Sequence, residues 1–268
     1  MARISKKQKQ RIRYYLKAKS ALEQKKDIIH AGDAPKYIAR HVPVIRRIAR
    51  NIDQLIIVAS FVQPPLKTGL IDRFLVLAEL ERLEPVICLN KTDLLQDAQE
   101  AEKTAAIYRR LDYPVLLTSA QTGEGIERLH PLVLGRVSAL AGHSGVGKSS
   151  LLNALSPLLN IEVREVSTAT KKGRHTTSKV RVYDLPHNTK IIDLPGIKLL
   201  DFIDIHHDEA RLFYREFAQY APYCKYRDCQ HITEDHCAVK EALQRGEIHH
   251  LRYESYLNLV ESLKNFTD

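Results

Sequence analysis

The chain has 268 residues, 44% hydrophobic and 27% charged, which admits one large domain or two modest ones and excludes disordered, collagen-like and disulfide-scaffold classes. The formal charge of +9 is unevenly placed: residues 1–50 carry fifteen Lys and Arg against Glu23, Asp27 and Asp33, leaving the remainder at −3. A near-neutral body with a basic segment points to a polyanionic partner, nucleic acid above all, against the plainer alternative of a solvated basic tail. No run reaches the ~18 apolar residues of a membrane span, and the N-terminus lacks the apolar core of an export signal, so a cytoplasmic chain without membrane contact is expected.

In chain order, residues 6–26 read as a helix, with a break around Gly32, Asp33, Ala34 and Pro35. From about 49 to 202, short apolar runs alternate with helical patterns. Strands are expected at Gln54–Ser60, 85–90, 114–119, Val137–Ala141 and 190–193, and helices at 70–83, 98–111 and Lys148–Leu155. Residues 203–268 are helical apart from a Cys/His cluster. The expected domains are therefore a basic helical segment 1–48, an α/β domain 49–202 and a small helical domain 203–268. Strands alternating with helices imply right-handed crossovers, a mostly parallel sheet, and ligand sites at the strands' C-terminal ends.

The first chemical motif is the run from Gly142 to Ser149, which fits G-x-x-x-x-G-K-[ST] between an expected strand and an expected helix. Its backbone N–H groups can curl around phosphates at the positive end of the helix. Candidate contacts are Gly142, Ser144, Gly145, Val146, Gly147, Lys148, Ser149 and Ser150; Lys148 would meet the β- and γ-phosphates and the Ser149 hydroxyl would hold Mg²⁺. Asp193-Leu-Pro-Gly196 ends a later apolar strand, where Asp193 would serve Mg²⁺ and the Gly196 N–H would sense the γ-phosphate.

Asn90-Lys91-Thr92-Asp93 closes the strand at 85–90. A buried carboxylate there accepts from the N1–H and exocyclic amine of guanine, which adenine cannot supply, and rejects the wrong base through the penalty of an unpaired charge. Asn90 would hold the loops and the Lys91 stem would lie along the base. Thr118-Ser119-Ala120 follows the next strand, with the Ala120 N–H expected to face guanine O6. Either motif alone could be a polar turn; together with a phosphate loop they point to guanine. The base-reading loops precede the phosphate loop, the reverse of ordinary small GTPases, and a parallel sheet tolerates this permutation because its loops gather on one edge in any chain order.

Cys224, Cys229 and Cys237 fall within fourteen positions beside His231, with His236 as a competing ligand. Three clustered cysteines suit a metal site better than disulfides, which would strand one thiol. Cys88 stands alone in an apolar run.

The permuted order, the GHSGVGKSSLLNAL and NKTDLL stretches, residues 173–177 and the cysteine cluster together resemble the ribosome small-subunit-dependent GTPase A family over about 51–263. The resemblance implies a circularly permuted P-loop GTPase domain with a mostly parallel sheet, followed by a small helical zinc-binding domain. It implies hydrolysis of GTP to GDP and phosphate late in small-subunit maturation, with turnover stimulated by the ribosome. The expected partners are the small ribosomal subunit with its rRNA, GTP and GDP, and a monomer is expected. Cys224, Cys229, His231 and Cys237 match the family's structural zinc ligands, so His231 is preferred to His236, and Mg²⁺ accompanies GTP. The same resemblance places Thr176 or Thr177, with Thr177 favoured, on Mg²⁺ and makes His175 the group that positions the attacking water alongside Lys148. Ile197 occupies the place where Ras-like enzymes carry a Gln, so intrinsic turnover should be slow until a partner orders the switch.

The family usually carries a five-stranded OB barrel ahead of the GTPase domain. The residues before Asn51 are too few for it and read as helix plus linker, with Arg11, Arg13, Lys17 and Lys19 suggesting a basic face. Salt-sensitive attraction to rRNA is the expected substitute for the barrel's contacts. Two other readings stay open: a guanine-nucleotide-binding rRNA scaffold without regulated hydrolysis, and a permuted GTPase of the large subunit, against which the cluster after Asp193 argues.

Overall fold

The computed structural model describes residues 52–156, 181–194, 203 and 205–265. The expected helix at 6–26 lies outside them. Two compact units divide the described chain, one ending at Ile203 and the other following it.

The first unit is built from β1 (Gln54–Ser60), α1 (Thr68–Glu81), β2 (Glu84–Asn90), α2 (Ala98–Arg109), β3 (Val115–Thr118), α3 (Ile126–Val133), β4 (Val137–Ala141), α4 (Lys148–Leu155), β5 (Arg181–Leu185) and β6 (Thr189–Asp193). Its six strands form one sheet in the order β3-β2-β1-β4-β6-β5. All neighbours pair in parallel except β5, which runs antiparallel to β6. Central strands must bury both faces beneath crossover helices, and the continuous apolar run of β1 meets that demand: Leu55, Ile56, Ile57 and Val58 are all buried. On one face Ile56, Val58, Val86, Cys88, Leu140 and Ile191 pack with Leu129 and Val133 of α3 and Leu151 and Leu152 of α4. Helix α1 packs on β1 and β2, and α2 on β3. Each such fully buried Leu, Ile or Phe contributes about 1.5–3 kcal/mol relative to exposure.

Local chemistry sets the boundaries. Helix α1 ends earlier than 83 because Arg82 turns left-handed (φ 56°) and its N–H bonds back to Ala78 and Glu79, a termination more often given to glycine. Asp97 caps α2 by accepting from the Gln99 N–H at 2.8 Å. Two elements were not expected. Helix α3 carries Pro131, whose ring and missing N–H weaken a helical reading. Strand β5 is an exposed edge that alternates weakly; His187 and Asn188, both at positive φ, return it to β6 through a tight turn closed by Thr189 N–H on Pro186 O at 3.3 Å.

The second unit is helical, as expected. A 3-10 turn at His207–Phe213 leads to α5 (Phe217–Tyr220) and a further turn at Ala221–Tyr223, and the unit closes with α6 (Ala238–Gln244) and α7 (His250–Lys264). Helix α7 buries Arg252, Ser255, Tyr256, Leu259, Val260 and Leu263, spaced as one helical face. The core is aromatic: Phe217 stacks on Tyr214 at 5.3 Å and meets Tyr256 edge-on at 5.0 Å. Beside it Arg252 grips Glu216 with both fork nitrogens, Nε–Oε1 at 2.7 Å and Nη2–Oε2 at 3.1 Å, with side chains only 2% and 5% exposed. No helix among the described residues is long and apolar enough to cross a membrane.

A buried fork of this kind contributes little as a pair, but removing the carboxylate leaves a buried guanidinium without its counter-charge, kept only by contacts such as the Tyr214 ring at 4.7 Å. Glu216→Ala should therefore destabilise the second unit by about 3–5 kcal/mol, read as a shifted denaturant midpoint in tyrosine near-ultraviolet circular dichroism. An unshifted midpoint would show that the Arg252 charge finds water or another partner.

Candidate functional site

The parallel strands β1, β2, β3, β4 and β6 all finish on one edge of the sheet, with β1, β2 and β3 level at their last residues and Ala141, the end of β4, beside Ile57 of β1. Ser60 pairs with Asn90, Asn90 with Thr118, and Leu140 with Asp193. Loops distant in the chain therefore open side by side.

The phosphate loop leaves β4 at Ala141 and enters α4 at Lys148. Val146 anchors it by burying its side chain in the sheet core, at 2% exposure. Two glycines are sterically required. A Cβ on Gly142 would lie 2.2 Å from Val58 O, and one on Gly147 would lie 2.3 Å from Asn90 Nδ2; both residues sit at positive φ. Gly147 precedes the first turn of α4, which contains Lys148, Ser149 and Ser150 and no acidic residue, leaving its N–H groups available to an anion. Lys148 Nζ donates to Gly142 O at 3.0 Å and His143 O at 3.2 Å, so the ammonium lies within the curl of the loop. Burial lowers the Lys148 pKa, an effect the nearby Asp193 carboxylate opposes. Burial likewise raises Asp193 against the pull of Lys148 and Arg181. Asp193 Oδ1 is buried without a hydrogen-bond partner, an oxygen ligand suited to a hard cation.

The base-reading loops interlock. Asn90, 1% exposed, donates from Nδ2 to Val146 O at 2.9 Å, while its Oδ1 accepts from Thr118 Oγ1 at 3.2 Å and the Ala120 N–H at 3.3 Å. The amide expected to face guanine O6 thus meets Asn90 in this arrangement. Ser119 Oγ donates to Asp93 Oδ1, and Thr92 Oγ1 reaches both Glu124 Oε2 at 2.8 Å and Thr118 O at 3.2 Å. Lys91, left-handed at φ 65°, extends its Nζ to Gln63 O. Asp93 is exposed here, contrary to the buried carboxylate expected from sequence, because its loop is held only at one side, through Ser119 Oγ on Asp93 Oδ1. Sequence reasoning missed Glu124, whose only signal was its place in a Gly-Glu-Gly turn. Gly125 in that turn is fixed because a Cβ would lie 2.1 Å from Leu117 O. Thr176, Thr177, His175 and Gly196 lie outside the described residues.

The second unit holds the metal centre. Cys224, Cys229, His231 and Cys237 are all buried, and one ligand atom from each lies within 4.8 Å of the others. His231 Nδ1 is 3.5 Å from Cys224 Sγ and 3.4 Å from Cys237 Sγ, and those sulfurs are 3.9 Å apart. A tetrahedron with sulfur ligands about 2.3 Å from zinc has edges of about 3.8 Å, so the donor set fits a closed structural site. Hydrogen bonds from Cys224 and Cys229 hold the Cys237 thiol well below its usual range. The competing His236 is exposed and outside the cluster. Around the ligands, Tyr253 and Tyr256 donate to His231 O and Gln230 O, and Glu234 accepts from the Gln230 and Ile232 N–H groups at 2.6 and 2.9 Å. Burial pushes the Glu234 carboxyl up, but these amides outweigh it and hold the group below the usual carboxylate range. None of these supporting residues was marked in the sequence reading.

Known proteins resemble this arrangement. Residues 35–203 match the family model described as RsgA GTPase. The small ribosomal subunit biogenesis GTPase RsgA of Chlorobaculum tepidum is 44% identical over 216 residues, 81% of this chain and 69% of that protein. Its counterpart from Actinobacillus succinogenes is 42% identical over 220 residues, 81% of this chain and 63% of that protein. Among solved structures, YjeQ from Thermotoga maritima superposes with TM-score 0.68 at 38% identity, covering 80% of this chain and 72% of that one. YloQ, a circularly permuted GTPase, gives 0.64 at 36% identity, covering 80% and 69%.

The metal centre makes a direct prediction. Zinc should bind one per chain, and Cys237→Ser or a strong chelator should abolish binding and unfold the second unit, since the binding energy of a structural zinc is folding energy. Elemental analysis with near-ultraviolet circular dichroism checks this; a chelated protein with an unchanged tyrosine spectrum would refute it.

Proposed function

We propose that this chain, which belongs to the RsgA GTPase family, binds GTP at the sheet edge and hydrolyses it to GDP and phosphate in the maturation of the small ribosomal subunit. The observation that carries the reading is the Asn90 side chain, which joins both base-reading loops to the phosphate loop through three hydrogen bonds. Loops so joined have one use that explains them all: holding a base and its phosphates at a fixed separation.

The nucleotide chemistry belongs to residues 49–202, the metal module to 203–268, and segment 1–48 supplies positive charge. Asp93, set by Ser119, accepts from the N1–H and amine of guanine, with Lys91 along the base and Ala120 near its O6. Gly142, Ser144, Gly145, Val146, Gly147, Ser149 and Ser150 surround the phosphates with loop and helix N–H groups, and Lys148 meets the β- and γ-phosphate oxygens. Ser149 and Asp193 would hold Mg²⁺, together with Thr176 or Thr177, and its charge would offset that of the phosphate oxygens. His175 positions the attacking water and Gly196 reports the γ-phosphate. The names of the relatives supply the partner, the small ribosomal subunit, and the basic segment favours its rRNA by counterion release.

Asp93→Asn removes the acceptor pair that only guanine satisfies. GTP affinity should fall by about 3 kcal/mol, roughly a hundredfold, and the margin over ATP should shrink accordingly; competition against a fluorescent guanine nucleotide reads both. Retained preference for GTP would overturn the base assignment. Co-sedimentation with small subunits should be stronger with a non-hydrolysable GTP analogue than with GDP, and the subunits should speed turnover. Equal retention with unstimulated turnover would favour the alternative, an rRNA-bound scaffold that merely holds nucleotide.

A further inference from the structure

Five large apolar side chains stand exposed among the described residues, and two of them, Tyr223 at 45% and Tyr226 at 43%, fall three positions apart at the metal centre. Other rings of that unit are committed elsewhere: Tyr214, Phe217 and Tyr256 fill its core and Tyr253 donates to His231 O. Tyr223 and Tyr226 flank Cys224, which is fully buried, and the loop closes at the equally hidden Cys229. Its backbone is pinned by the Cys224 N–H on Ala221 O at 3.2 Å and the Lys225 N–H on His236 O at 3.1 Å. The two rings are therefore presented on a short, tethered loop, so holding them against a partner costs little ordering entropy.

The charged neighbours decide what such rings would meet. Lys225, Arg227 and Asp228 are exposed beside them, and Lys225 Nζ lies 5.2 Å from the Tyr226 ring centroid. A protein-binding core is depleted of Lys and Asp and needs a contiguous apolar patch, which this loop lacks. Alternating aromatic and basic residues instead match the demands of an unpaired nucleic-acid strand, whose bases stack on rings while its phosphates meet cations. A duplex offers no base face to stack upon.

We propose that Tyr223 and Tyr226 form a stacking platform for unpaired RNA bases, with Lys225 and Arg227 meeting the adjoining phosphates. The proposal rests on the reading that the chain works on rRNA, and it narrows that reading to a single-stranded segment at the metal centre. Because every base has a π face, the platform selects strandedness more than sequence.

The test uses the full zinc-loaded chain and a twelve-nucleotide oligouridylate, by fluorescence anisotropy at about 0.3 M salt to suppress attraction to the basic segment. Tyr226→Leu and Tyr223→Leu should each weaken binding about five- to a hundredfold, whereas Tyr226→Phe stays within about twofold, since it keeps the ring. Zinc content and GTP affinity should be unchanged in all three. Lys225→Met and Arg227→Met should instead lower the salt slope, by roughly one each. Equal affinity of the leucine variants and the parent chain would overturn the platform, as would equal binding of a duplex. Photocrosslinking from position 226 to a ribosomal protein and not to rRNA would overturn it in favour of a protein contact. Small-subunit co-sedimentation of the same preparations separates the two claims. Loss of subunit binding with ring-dependent oligouridylate binding would fail the small-subunit reading alone; intact subunit binding with ring-independent oligouridylate binding would fail the platform alone.

Discussion

One buried amide holds the nucleotide site together. Asn90 sits at the end of β2, faces the phosphate loop with its nitrogen and the Thr118–Ala120 loop with its oxygen, and leaves no room for any side chain at position 147. An amide suits this position because it offers donors on one end and an acceptor on the other. Aspartate in its place would present only acceptors to the Val146 carbonyl. Because the groups are buried, each lost bond would leave a desolvated partner unsatisfied, so the geometry is enforced more strongly than three modest hydrogen bonds would suggest.

That enforcement explains why chain order is free while loop position is not. The sheet's parallel pairing brings Asn90, Thr118, Ala141 and Asp193 to one edge, and the hydrogen bonds between their loops are indifferent to which strand was synthesised first. Cutting such a fold at one loop and joining it at another changes connections on the periphery only. What permutation does change is the covalent sequel to each motif: the strand bearing Asp193 is followed within ten residues by Ile203 and then by the second unit.

Much of this was legible in the sequence for a simple reason. Strands β2 and β4 and helix α4 have sharp edges because each adjoins a motif whose residues cannot be regular: Asn90 and its loop, or the glycines from 142 to 147. The central strands announced themselves by continuous apolar runs, a consequence of burial on both faces. Strand β5 and helix α3 did not, since β5 turns toward solvent and α3 contains Pro131. In the site, residues that touch a ligand by type and spacing could be read. Those that hold them could not. Glu124, Glu234, Tyr253 and Tyr256 act through long-range contacts that no local pattern encodes. His231 and His236 show the same limit, because spacing admits both and only the fold buries one.

The second unit shows how a small core compensates for its size. A domain of about sixty residues buries too little apolar surface to be comfortably stable without a staple. Here the staple is the metal cluster, and its neighbours are arranged to serve it. Tyr253 and Tyr256 come from α7 to the carbonyls of His231 and Gln230, and the same helix supplies Arg252 to the buried fork with Glu216. Helix α7 therefore senses both the ligand loop and the start of α5, so metal, aromatic core and ion pair form one cooperative structure. Exposing Tyr223 and Tyr226 is tolerable only in such a setting: their loop contributes two ligands to the centre, and that anchorage substitutes for the burial their rings forgo.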